Sequence, residues 1–243
     1  MKNMLISGGT GGIGTAITLE FIRNGYHVFT THNNKSSEAL CEWKTVNQVS
    51  DENITFLNCD LTKLAQVESI IGGITQEHSI DVLINNAGIA DDSSFLKMKF
   101  EQWFNVLNVN LLSVFTFTQI VVKQMVLKRQ GCIINISSIN AHKGQFGQTN
   151  YCASKAGLLA FTKSLSLELA TKGVRVNAIC PGYTLTPMLD SVPSEVLDKI
   201  QNGIPTGKLV DVQEIARTAV FISEELPSLT GSTISVNGGQ YMH

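Results

Sequence analysis

Met4-Leu5-Ile6-Ser7-Gly8-Gly9-Thr10-Gly11-Gly12-Ile13-Gly14 is the stretch on which the fold turns. A short apolar run passes into a glycine turn, and Ile13, Ile17 and Phe21 then recur at a four-residue interval until Gly25. That pattern predicts strand, turn and helix, with Gly25 as the stop. Glycines permit positive φ and close backbone approach, so the unpaired N–H groups of the helix start can face a pyrophosphate. A second strand over 26–31 follows promptly, which predicts a dinucleotide site at the first βα turn. Its candidate contacts are Ser7, Gly8, Gly12, Ile13 and Gly14.

The end of the second strand selects between dinucleotides, because an acid there would bond the ribose 2′-hydroxyl and repel a 2′-phosphate. The chain reads Thr31-His32-Asn33-Asn34-Lys35-Ser36, with no acid until Glu38. NADP(H) is therefore favoured, with Lys35 and Ser36, and His32 or Asn33, near the phosphate; an ordinary exposed lysine and a surface histidine are the competing readings. A third strand over 54–59 delivers Asp60 and Leu61 to its carboxyl end, where ligands of open parallel sheets bind. Asp60 can accept from an adenine amino group or serve as a helix N-cap. After a helix ending near Glu77, a strand over 80–84 opens into Asn85-Asn86-Ala87-Gly88. Asn86, Ala87 and Gly88 suit close cofactor contact, and equally a structural turn.

The second half continues the alternation. A long helical stretch over 100–128 contains Asn110, a polar residue on an apolar face that needs buried partners or a special role. A strand over 132–136 ends at Ser137 and Ser138, and an irregular loop over 139–149 follows, with Phe146 as its apolar face. Then comes Asn150-Tyr151-Cys152-Ala153-Ser154-Lys155 at the start of a helix reaching about Lys172. Tyr151 and Lys155 share one helix face, and an ammonium beside a phenol is expected to lower the phenol's pKa. A strand over 174–180 leads into Pro181-Gly182-Tyr183. Residues 184–207 lack a strand pattern and suit a substrate lid. A helix over 211–223 and a strand over 232–236 finish the count. Seven strands alternating with helices predict a single α/β domain over 1–243, a Rossmann-like, doubly wound parallel sheet covered on both faces.

Composition narrows the function further. The 243 residues are 43% hydrophobic and 16% charged with a net charge of −2, which argues against general nucleic-acid binding. The N-terminus runs straight into strand sequence, and no apolar run approaches the ~20 residues of a membrane span. Five cysteines, odd in number and without a C-x-x-C pair, fit reduced thiols in a cytoplasmic protein, and no metal site is expected.

Ser7-Gly8-x-x-x-Gly12-Ile13-Gly14, Asn85-Asn86-Ala87-Gly88, Asn110, Ser138, Tyr151-x-x-x-Lys155 and Pro181-Gly182 occur together in one order. Over essentially its whole length the chain resembles the short-chain dehydrogenase/reductase family, with Ser7 where many members have threonine. Residues 143–151, Pro181-Gly182-Tyr183 and the terminal Asn237-Gly238-Gly239-Gln240-Tyr241-Met242 are similar to the family's bacterial acetoacetyl-CoA reductases.

The resemblance implies Tyr151 as proton donor, Ser138 orienting the substrate oxygen, Lys155 on the nicotinamide ribose and Asn110 holding a water that links Lys155 to solvent. Pro181, Gly182, Thr184 and Thr186 are implied at the cofactor, and Gln145, Phe146, Gln148 and Tyr183 at the acyl group. The implied reaction is NADPH-dependent reduction of a 3-oxoacyl-CoA thioester. Glu38 stands where that group has a basic residue near the 2′-phosphate, leaving Lys35 as its substitute. The rival substrate is the same acyl chain on an acyl carrier protein, since Arg129 and Lys172 match basic positions of carrier-protein reductases. A homotetramer is also implied, with the helices of 100–128 and 150–172 at one interface and the C-terminal region at another.

Overall fold

The computed structural model describes residues 1–186 and 194–242. One all-parallel sheet organises them, in the order β3-β2-β1-β4-β5-β6-β7. Its strands are β1 (Lys2–Ser7), β2 (Tyr26–His32), β3 (Ile54–Asn58), β4 (Val82–Asn85), β5 (Gly131–Ile136), β6 (Val174–Pro181) and β7 (Thr233–Val236). The order reverses between β1 and β4, and that reversal opens a crevice at the strands' carboxyl ends.

Alternation along each strand builds two cores. Met4 and Ile6 point to one face of β1, where Ile17 and Phe21 of α1 (Gly12–Arg23) and Ile215 and Ile222 of α9 (Val212–Glu224) cover them. Leu5 points to the other face. There it joins Val67 and Ile71 of α3 (Leu64–Glu77), Phe117, Val121 and Met125 of α5 (Ser113–Lys128), and Leu169 of α7 (Thr149–Leu169). Each side chain of this size contributes roughly 1.5–3 kcal/mol when removed from water. With both faces buried, the strands read as continuous apolar runs.

The helical stretch expected over 100–128 is α4 (Phe100–Leu107), a π-helical turn over Asn108–Leu112, and α5. By length and composition Phe100–Lys128 contains an 18-residue window with a mean hydropathy of 1.5, enough for a membrane span, although polar residues interrupt it and it holds no unbroken apolar run of that length. Its apolar side chains belong in part to the core above: Val106, Val114, Phe117, Val121 and Met125 are buried.

Three helices lie where none was expected. The helix α2 (Ser37–Asn47) buries no residue fully, so it carries no apolar stripe; Trp43 ties it to α1, donating from Nε1 to Thr15 Oγ1 at 3.0 Å. The short α6 (Asn140–Lys143) opens the irregular loop after Ser138. Within the segment read as a lid, α8 (Ser194–Asn202) forms, while 187–193 lie outside the described residues.

Candidate active site

The glycine turn is held open by its own backbone. Gly8 adopts φ +67°, and a Cβ on Gly14 would stand 2.2 Å from the Gly8 carbonyl oxygen. The N-cap of α1 is Gly11, which offers no side-chain cap, and no acid stands in the helix's first turn. The early N–H groups and the positive end of the helix dipole are therefore left for an anion. Ser7 does something other than line this turn. Its buried Oγ accepts from the backbone N–H groups of Asn86 and Ala87, each at 3.0 Å, while Asn86 Nδ2 donates to the carbonyls of Ser7 and Gly8. These bonds sew β1 to β4 across the crevice, so the hydroxyl serves the turn rather than a ligand.

A cleft of about 920 Å³ runs from this turn along the strand ends to Tyr151 and Tyr183. At its adenosine end lie His32, Asn33 and Lys35. Lys35 Nζ donates to the carbonyl of Thr10 at 3.3 Å, which holds the ammonium over the glycine turn, and His32 Nδ1 accepts from the Lys35 N–H at 3.2 Å. Burial, then the charge of Lys35, lowers the His32 pKa. Ser36 is not in the cleft wall. It caps α2, its Oγ accepting from Ala39 N at 3.2 Å. Glu38, in the first turn of α2, does not line the cleft either.

Asp60 and Leu61 line the cleft beyond β3. Asp60 is not a helix N-cap. Its Oδ1 accepts from the hydroxyl and backbone N–H of Thr62, an Asx turn that lowers its pKa, and α3 starts only at Leu64. Such a cradle, with main-chain donors at one end, a cation beside it and a carboxylate beyond, suits the diphosphate and adenosine of a nicotinamide dinucleotide. Ala87 and Gly88 line the middle, and Pro181, Gly182, Thr184 and Thr186 the far side.

At the other end β5 and α7 converge. Ser138, Tyr151 and Lys155 all line the cleft. Lys155 is 4% exposed and donates from Nζ to the carbonyl of Ile136 at 2.8 Å. Burial lowers its pKa to about 8. Its Nζ stands 5.8 Å from the centre of the Tyr151 ring.

The expected depression of the tyrosine is not what results. Burial raises the Tyr151 pKa, and the Ser138 hydrogen bond only pulls part of the way back. The lysine's hydrogen bond goes to the Ile136 carbonyl, and burial of the phenol is the largest influence on its pKa.

Asn110 sits in the π-helical turn, fully buried and satisfied. Its Oδ1 accepts from Ile89 N at 2.8 Å, and its Nδ2 donates to Ile89 O and Ser154 Oγ. A Cβ on Gly88 would lie 3.3 Å from both Asn110 Oδ1 and Lys155 Nζ, so glycine keeps the path between them open.

Among the expected acyl contacts, Gln148 and Tyr183 line the cleft, whereas Gln145 and Phe146 do not. Phe146 is 88% exposed, on a loop that Gly144 at φ +70° and Gly147 at φ +81° turn outward. Tyr183 is fixed at its backbone by Gln240 Oε1, which accepts its N–H at 2.9 Å. Thr62, Asp92 and Asn140 also line the cleft and were not anticipated. Asn140 follows Ser138 by two residues, a hint within reach. Asp92 lies in an aperiodic segment that offers none.

A family model described as short chain dehydrogenase matches residues 2–196. Acetoacetyl-CoA reductase of Acinetobacter sp. (strain RA3849) is 41% identical over 244 aligned positions, covering 100% of this chain and 98% of that protein. Acetoacetyl-CoA reductase of Shinella zoogloeoides is 44% identical, covering 98% and 97%. The 3-oxoacyl-[acyl-carrier-protein] reductase FabG of Haemophilus influenzae is 36% identical, covering 99% and 98%. With a dinucleotide cradle at one end of the cleft and a serine, tyrosine and lysine at the other, the chain belongs to the short-chain dehydrogenase family of nicotinamide-dependent oxidoreductases.

Proposed function

We propose that the protein reduces acetoacetyl-CoA to 3-hydroxybutanoyl-CoA with NADPH. The observation that carries this reading is the meeting of Ser138, Tyr151 and Lys155 with Gln148 and Tyr183 in one cleft that begins at the glycine turn. The likeness to two acetoacetyl-CoA reductases supports the substrate.

The glycine turn, Lys35 and Lys155 would hold a reduced nicotinamide dinucleotide, which would supply the hydride for the β-carbonyl carbon. Tyr151 gives its phenolic proton to the carbonyl oxygen as charge develops there. Its raised pKa keeps the phenol protonated through neutral pH, the state that reduction needs. Ser138 hydrogen-bonds the same oxygen and orients it. Lys155, with a pKa of about 8, gains and loses a proton near the working range, which suits it to resupply Tyr151, while Asn110, bonded to Ile89 and Ser154, holds the neighbouring segments in place. Lys35, poised over the glycine turn, and the lack of an acid over residues 31–36 at the end of β2 support NADPH as the cofactor.

The carrier-protein alternative would use basic surface at Arg129 and Lys172. Arg129 ends α5 just before β5, and its Nη2 donates to the carbonyl of Thr171 at 2.9 Å, with Lys172 just before β6. Both residues therefore lie at the amino ends of their strands, while the cleft lies at the carboxyl ends. Within one chain that placement favours the CoA thioester.

Parallel assays test the reading: kcat/KM for acetoacetyl-CoA should exceed that for acetoacetyl-carrier protein, and NADPH should outperform NADH. Reversed preferences would replace it with the carrier-protein or NADH reading. A homotetramer is the proposed assembly, supported by the exposed Phe104, Phe115, Leu127 and Leu167 on α4, α5 and α7.

A further inference from the structure

A directed chain of hydrogen bonds crosses the substrate end of the cleft. Gln148 Nε2 donates to Asp92 Oδ2 at 2.7 Å, and Asn140 Nδ2 donates to Gln148 Oε1 at 2.9 Å. The backbone N–H of Asn140 donates to Ser138 Oγ at 3.1 Å. All four residues line the cleft. An ionised carboxylate can only accept. Asp92 therefore compels Gln148 to present its NH₂ outward and its carbonyl inward. Gln148 in turn compels Asn140 to present its own NH₂ to it, which turns the Asn140 carbonyl to the interior. That oxygen is buried and has no hydrogen-bond partner, on a residue only 8% exposed. Its inner end thus gains nothing from this orientation, so the orientation is imposed from the Asp92 end.

We infer that Asp92 is a positioning residue for the catalytic serine: its carboxylate sets the polarity of the Gln148 and Asn140 amides, and so fixes the backbone that holds the Ser138 hydroxyl. With Ser138 Oγ already accepting from Asn140 N–H, the serine's own proton is directed to the substrate oxygen. The inference rests on the reductase reading above. The same carboxylate has a second effect, because its charge adds to burial in raising the Tyr151 pKa. The other groups facing Tyr151 are Ser138 from the loop after β5, Cys152 and Lys155 from α7, and Cys180 from β6.

Asp92→Asn tests this, since an amide keeps the shape but offers a donor as well as an acceptor and no longer dictates polarity. Losing one charge-assisted bond corresponds to roughly a tenfold fall in kcat/KM for acetoacetyl-CoA. NADPH affinity, read by fluorescence titration, should not change. The limb of the pH–rate profile along which activity falls as Tyr151 deprotonates should move to lower pH, because a negative charge near the phenol has gone. In a Gln148→Ala background the chain is already cut, so adding Asp92→Asn should leave kcat/KM where Gln148→Ala alone puts it.

Unchanged kcat/KM in Asp92→Asn, an equal loss of NADPH affinity, or effects of the two substitutions that multiply would each overturn the inference. A wild-type protein without turnover on acetoacetyl-CoA would overturn the functional reading and this inference with it; an active wild type matched by Asp92→Asn overturns the inference alone.

Discussion

The two ends of the cleft are built by different means. At the glycine end the wall is main chain: a positive-φ turn, the start of α1 and the Ser7 and Asn86 bonds that lock β1 to β4. At the tyrosine end the wall is side chain, carried partly on irregular segments: Asp92, Asn140, Gln148 and Tyr183 around the helix-borne Tyr151 and Lys155. A diphosphate is the same in every dinucleotide, so rigid backbone suffices to hold it. Acyl groups differ, and a wall of exchangeable side chains can be altered without disturbing the sheet. Chemistry sits at the tyrosine end, on α7, which packs against β6, α6 and α4.

This contrast can be broken at either end. The largest effect is expected from Tyr151→Phe, which removes the proton donor and should lower kcat by roughly 10³-fold. NADPH titration should show the glycine end unaffected; near-normal turnover would mean that another group supplies the proton. Next comes Gly14→Ala. Its methyl meets the Gly8 carbonyl at 2.2 Å, and such overpacking costs about 1–3 kcal/mol in a well-packed site. Thermal melts and NADPH titration should both fall together, which the substrate-end substitutions should not reproduce. The smallest effect is Lys35→Met. It should reduce the ratio of kcat/KM for NADPH over NADH by about tenfold, the worth of one hydrogen bond to a charged group. An unchanged ratio would assign the 2′-phosphate to other residues.

Legibility in the sequence follows the same division. Strands buried on both faces announce themselves as unbroken apolar runs, and Gly8, Gly14, Tyr151 and Lys155 are informative because their spacing has a geometric meaning. The helix α2 was hidden because it buries no residue fully. Ser36 lies outside the cleft wall as a helix cap, a role that the sequence reading did not give it. The direction of the Tyr151 shift depended on burial of the phenol, which spacing does not encode. Phe146 and Gln145 were expected to line the acyl site, yet the turn between Gly144 and Gly147 carries them outward. Asp92 had no periodicity to betray it, and only a folded chain brings it to Gln148.

A backbone bond joins the segments that carry Asp92 and Gln148 beside their side-chain bond: Ser93 N–H donates to the carbonyl of Gly147 at 2.8 Å. Two stretches more than fifty positions apart thereby behave as one module. Anyone grafting a new acyl preference onto this scaffold would have to transplant residues 86–94 and 139–149 as a matched pair, and natural drift in either stretch would select for compensation in the other.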